Sequence, residues 1–359
     1  MVRQPIYNFC AGPSTLPAEV MAATAAALLD FEGSGLSLAE VGHRTKAFVP
    51  IIEEARSLMR SLLAVPDTHE VLFLSGGATL QFTMLAANLL RTQAAYTDTG
   101  VWATKAIAEA QLWGRVNVVA SSATTGYTTI PEHFDLPQGA NYLHITSNNT
   151  IYGTQWHTLP EVDVPLVADM SSDILTRPLA IERYDLIYGG AQKNLSMAGL
   201  CFAIVRRKAL NKHGRALPAM LDYTRHIEAA SMLNTPPTVP IYCALQTLRW
   251  IVREGGISTM QQRAKQRAAI VYEAIDNSPL FSAPVQAVHR SLMNIRFELT
   301  PAYTQLEETF LSEAKTEGLM QLRGHRTLGG FRASLYNAMP IAGAKALANF
   351  IHTFTLRHG

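Results

Sequence analysis

The chain has 359 residues, 48% of them apolar, and a formal net charge of +2. That length suits two domains, or one large α/β unit with an appendage, and the apolar share allows a substantial core. The near-neutral balance gives no whole-protein argument for nucleic acid or an acidic membrane face, and the three widely spaced cysteines form neither a CxxC pair nor a disulfide framework.

The first segment, 6–13, is short and apolar, ends in Gly-Pro, and reads as a strand or extended arm running into a turn. The N-terminus has no apolar h-region, and the apolar stretch 20–29 is too short to span a bilayer. The expectation is a soluble cytoplasmic protein. Residues 17–30 are alanine-rich with Pro17 in the first helical turn, which predicts a helix. Helical spacing recurs over 47–63. A compact buried strand is expected at 71–74, followed by Ser75-Gly76-Gly77 and a helix over 78–90. Further short apolar runs at 116–120, 142–145, 165–168, 186–188 and 201–205 alternate with helical stretches. This pattern predicts an α/β fold with a mostly parallel sheet covered on both faces. A helix over 240–254 ends at Gly255-Gly256, the expected domain boundary. Beyond it come a helix (258–276), a strand (293–298), a helix (304–317) and a strand (331–334). The division expected is a large domain over 17–254 and a smaller α+β domain of 1–16 and 255–359.

Three features fall where buried strands end, the place where open parallel sheets gather ligands. The turn at 75–79 is either a plain tight turn or a phosphate cradle at a helix N-terminus. Asp169 follows the strand at 165–168, where an unpaired carboxylate is costly. It either caps the next turn through Ser171 or Ser172, or pairs with a protonated ring nitrogen. Lys193 follows Gly189, Gly190 and Ala191. Outside such a setting a lysine is a solvated surface residue. In a small, apolar pocket it is desolvated, and the neutral amine needed for a Schiff base is favoured.

Asp169 and Lys193 at successive strand ends, after a glycine-rich turn, form a more specific set than any one of them. Together with NFCAGPSTLP, GHRTKAF, VLFLSGGATLQF, TGVWATKAI, ADMSSDILTRP, YGGAQKN, MLNTPPT, GHRTLGGFRASLYNAMP and the terminal RHG, they resemble the phosphoserine aminotransferases nearly end to end. These are class V, fold-type I enzymes dependent on pyridoxal phosphate.

The resemblance implies that Lys193 carries the cofactor and moves the Cα proton, that Asp169 pairs with the pyridine nitrogen, and that Trp102 stacks on the ring. It implies that Thr150 bonds the ring-hydroxyl region and that Ala78, Thr79 and Gln192 hold the cofactor phosphate. Asn234 and Thr235 would reach that phosphate from a partner subunit in a homodimer. Arg332 would take a substrate carboxylate, and His43, Arg44, His325 and Arg326 a substrate phosphate. The implied reaction is reversible amino transfer between glutamate and 3-phosphohydroxypyruvate, giving O-phosphoserine, with a phosphorylated threonine analogue of vitamin B6 synthesis as a second substrate.

Two positions depart from the family pattern. Thr79 stands where an arginine is common, and one lost charge-assisted contact weakens binding by roughly 1.5–3 kcal/mol. Ala11 stands where a serine is common; a backbone contact survives that change and a hydroxyl contact does not. Three other activities compete. Cysteine desulfuration needs a nucleophilic cysteine on a mobile loop, which Cys10, Cys201 and Cys243 fit poorly. A cofactor-binding protein without catalysis is the second. An NAD-binding protein is the third, against which the missing GxGxxG argues.

Overall fold

The computed structural model describes residues 5–212 and 214–359. Residues 1–4 of the expected N-terminal segment and residue 213 lie outside the described residues. The chain opens with β1 (Tyr7–Asn8), α1 (Ala18–Leu29) and α2 (Val49–Leu62). Next come β2 (His69–Ser75), α3 (Ala78–Leu89), β3 (Gln93–Asp98), α4 (Val101–Gln111) and β4 (Arg115–Ser121). Then follow β5 (Leu143–Thr146), β6 (Asn148–Asn149), β7 (Thr154–Gln155), β8 (Leu166–Asp169), β9 (Tyr184–Gly190) and β10 (Leu200–Arg206). The C-terminal third holds α5 (Tyr223–Glu228), α6 (Thr238–Arg253), α7 (Gly256–Asp276), β11 (Phe281–Ser282), β12 (Asn294–Leu299), α8 (Glu307–Thr316), β13 (Leu319–Met320), β14 (Phe331–Ser334) and α9 (Ile341–His358).

Seven strands form one sheet in the order β2-β10-β9-β8-β5-β3-β4. Only β10 runs against its neighbours; the β9, β8, β5, β3 and β4 pairings are parallel. Buried side chains alternate between the two faces, as period two requires. Val71, Phe73, Ile145, Ala168 and Ile187 pack toward α1, α2 and α6. Leu72, Leu74, Tyr96, Val167, Leu186 and Tyr188 pack toward α3 and α4. A separate core joins Phe9, the C-terminal half of α7, β12, β14 and α9 around Phe281, Phe297, Phe310 and Phe331.

The expected elements are present with shifted ends, and the differences have local causes. The helix expected at 304–317 begins as a 3-10 turn over Pro301–Leu306 and becomes α-helical only at Glu307. Gly255 caps α7 in the left-handed region at φ 99° and Gly256 already opens that helix, so the glycine pair joins two helices with almost no linker. Strand β3 was not expected: QAAYTD has neither an apolar run nor clean alternation, and its position between β5 and β4 makes it a strand. Helix α9 was likewise outside the expected elements, although its buried residues follow helical spacing.

Candidate active site

The parallel strands β5, β8 and β9 present their carboxyl ends along one edge, with Thr146, Asp169 and Tyr188 level across the three strands. Beside them, β2 ends at the 75–77 turn. Together with the 11–12 turn and the 325–332 segment, these ends enclose a cavity of about 270 Å³. Lys193, Asp169, Trp102, Thr150, Ala78, Thr79, Gln192, His325 and Arg332 all line it. A larger cavity, about 670 Å³, is formed by 130–135, 155–162 and 288–289; it holds three histidines but neither lysine nor arginine. Size therefore does not mark the reactive cavity; the amine does.

Lys193 is partly exposed, yet burial lowers its pKa to about 8, with Arg332 pushing the same way and Asp169 opposing. The neutral, nucleophilic amine is thus far more abundant near neutral pH than for an ordinary lysine, at about a tenth of the total at pH 7. Two close approaches hold this lysine in place. Ser14 Oγ donates to its carbonyl. At Gly12, with φ 145°, an added Cβ would stand 3.4 Å from Lys193 Cγ.

Asp169 is 6% exposed, and its Oδ1 accepts both the Ser171 amide (2.9 Å) and the Ser171 hydroxyl (2.6 Å). The capping reading of this residue holds, and the carboxylate also faces the cavity. Burial raises its pKa, while the two Ser171 donors and Lys193 draw it back down. Beneath it, Tyr188 OH meets His144 Nε2 at 2.8 Å, and burial alone lowers the His144 pKa to about 3, so this floor is uncharged.

Trp102 and Arg332 are tied together through one residue. The Trp102 indole N–H donates to Thr150 Oγ1 (3.1 Å), and Arg332 Nη1 donates to the Thr150 carbonyl (3.0 Å). At the 75–79 turn, Gly76 has φ 107° and Gly77 is the extended N-cap of α3, which places Ala78 and Thr79 in the first helical turn against the cavity. Such a turn offers backbone N–H groups to an anion. The lysine, the buried carboxylate, the stacking indole and the small-residue turn therefore fit pyridoxal phosphate.

Of the remaining expected residues, His43, Arg44, Asn234, Thr235 and Arg326 do not line the cavity within one chain, although the charge of Arg326 reaches His325. Asn234 Nδ2 is 3.4 Å from Ser75 Oγ, so it stands behind the glycine turn. Ala11 lines the cavity, and its carbonyl accepts from Tyr336 OH at 2.8 Å. Sequence reasoning missed Thr146, Asn148, Phe82 and Ile151 as lining residues. Asn148 joins Ser172 and Asn294 in a buried polar network, for which the polar SNN run after β5 was the available signal. No cysteine is among the residues lining the cavity, and burial pushes the Cys201 thiol up to about 12. Among the described residues no group of side chains could hold a metal, and no helix is long and apolar enough to cross a membrane.

Gly189 sits where β9 passes closest to Ser171. An added Cβ would lie 2.7 Å from Phe202 Cζ and 2.8 Å from Ser171 Cα. Gly189→Ala is expected to lower unfolding stability by about 1–3 kcal/mol, read as a shifted denaturant midpoint at unchanged slope.

A mostly parallel sheet with a lysine and an aspartate at successive strand ends defines a fold-type I pyridoxal-phosphate enzyme. The family model described as aminotransferase class-V matches residues 6–347, and the chain belongs to that family. It is 50% identical over 353 residues to the phosphoserine aminotransferase of Phocaeicola vulgatus, covering 98% of this chain and 99% of the relative. Among solved structures it is similar to phosphoserine aminotransferase from Bacillus circulans subsp. alkalophilus (40% identity, TM-score 0.95, 99% of each chain covered). It is also similar to the PLP-bound enzyme from Trichomonas vaginalis (34% identity, TM-score 0.91, 97% of this chain and 100% of that one). The cofactor of this enzyme class is pyridoxal phosphate.

Proposed function

We propose that the protein catalyses reversible amino transfer from glutamate to 3-phosphohydroxypyruvate, giving 2-oxoglutarate and O-phosphoserine. The observation that carries this reading is the convergence of Lys193, Asp169 and Arg332 on one cavity, with the lysine amine poised near neutral pH. When bound, pyridoxal phosphate supplies a carbonyl carbon that accepts the amino group and a ring that delocalises charge.

The chain's own residues do the rest. Lys193 holds the cofactor and, once released by substrate, moves the proton from the substrate Cα. Asp169, with Oδ1 filled by Ser171, keeps Oδ2 for the ring N–H and holds that nitrogen protonated. Trp102 covers the ring. Ala78, Thr79 and Gln192 take the cofactor phosphate. Arg332 takes the substrate α-carboxylate through its planar fork. His325 and Arg326 stand at the substrate-phosphate end. His43, Arg44, Asn234 and Thr235 complete the site from a second copy, which makes the working unit a homodimer. The separate core around Phe297 and Phe310 supports a small domain of 1–16 and 255–359 packed on a large one of 17–254. Three free thiols support a reducing, cytoplasmic setting.

The test follows the visible absorbance of the PLP-loaded protein. Glutamate should bleach the cofactor band and 3-phosphohydroxypyruvate should restore it. A folded, loaded protein whose spectrum ignores glutamate would overturn the proposal and favour a binding protein without catalysis.

A further inference from the structure

We propose that Lys105 is a substrate-binding residue that supplies positive charge to the substrate's phosphate group. The inference rests on the phosphorylated-substrate reading above. Lys105 lies on α4 three residues after Trp102, so the two side chains share a helix face. Its Nζ stands 5.0 Å from the centre of the Trp102 ring. Trp102 lines the cavity and is bonded to Thr150, so the contact places the exposed ammonium beside a cavity-lining ring. Among the described residues no ion pair ties Lys105 to a carboxylate. Its place in the second turn of α4 also gains nothing from the helix dipole, which favours cations at the other end.

The charge count at this end of one chain's cavity leaves a place for such a group. A phosphate monoester carries between one and two negative charges near pH 7. Thr79 lines the cavity without a charge. Arg332 has its guanidinium against the Thr150 carbonyl, at the carboxylate end. His325 lines the cavity, and its Nδ1 faces the Thr327 hydroxyl at 2.8 Å and accepts the Thr327 amide. Burial and the nearby charges of Arg332, Arg326 and Lys105 lower the His325 pKa, so it brings an N–H donor and no full charge. Lys105 is close enough to His325 to be one of those charges. Among the described residues, Lys105 and Arg326 are the cations besides Arg332 whose charge reaches His325.

The test uses the PLP-loaded protein and its Lys105→Met and Lys105→Arg variants. Lys105→Met should raise KM for 3-phosphohydroxypyruvate about tenfold. KM for glutamate, which brings a carboxylate where the other substrate brings phosphate, should rise by a smaller factor. Inorganic phosphate, titrated against tryptophan fluorescence, should bind Lys105→Met about tenfold more weakly. Lys105→Arg keeps the charge and should recover most of both losses. Wild-type KM and phosphate affinity in Lys105→Met would overturn the inference. So would an equal rise in both KM values, which would make Lys105 a prop for Trp102. If the unmodified protein does not use 3-phosphohydroxypyruvate at all, the functional reading itself falls and takes this inference with it.

Discussion

Lys193→Ala is expected to lower kcat by about 10⁴-fold, the upper range for a positioned proton-transfer group, and to abolish the cofactor's covalent attachment. The visible band of the loaded protein reports the second effect independently of turnover. The same lysine makes a prediction about the cofactor-free protein. Its pKa is lowered to about 8, so folding disfavours the charged form. The sign follows directly: below about pH 8 the fold must hold an ammonium it disfavours, and above the ordinary lysine value both states are neutral and the cost is gone. Lys193→Met should therefore stabilise the cofactor-free protein by about 1–3 kcal/mol at pH 7, a gain that shrinks toward pH 10. Asp169 limits the gain, because it loses a nearby positive charge. Thermal melts across that pH range decide the matter; a gain that grows with pH would contradict the burial argument.

Asp169→Asn should lower kcat by about 10²–10³-fold, the scale of removing one preorganised electrostatic contact. An asparagine oxygen still accepts from the Ser171 amide and hydroxyl, so the turn after β8 keeps its cap. Only the negative charge is lost, and with it the means of keeping a ring nitrogen protonated. Asp169→Ala would in addition strand two Ser171 donors and cost about 1–3 kcal/mol of stability. Similar stability in the wild type and Asp169→Asn, with a large gap in kcat, separates the electrostatic role from the structural one.

Asp169 was legible because it ends a plain apolar strand, and Lys193 because it follows another across Gly189, Gly190 and Ala191. The sheet was legible for the same reason, except at β3, whose AAYT centre is a strand only through its two neighbours. Chain order does not place Lys105. It sits in an ordinary helix, and only the tertiary fold brings its charge within reach of His325. Thr150 was named from the family motif and does line the cavity, but its bonds to Trp102 and Arg332 needed the structure. His43, Arg44, Asn234 and Thr235 could be named from motifs, and within one chain they do not line the cavity.

The bond between Arg332 and the Thr150 carbonyl sets the terms on which a carboxylate enters. An arginine with several free rotamers would lose that freedom at the moment of capture, at about 0.5–1.5 kcal/mol for a rotamer-rich side chain. Here the guanidinium is already aimed, and its remaining donors are preorganised for a charged acceptor. Because Thr150 also fixes the Trp102 indole, the ordering of the arginine and the ordering of the ring are one event, completed during folding rather than during each turnover.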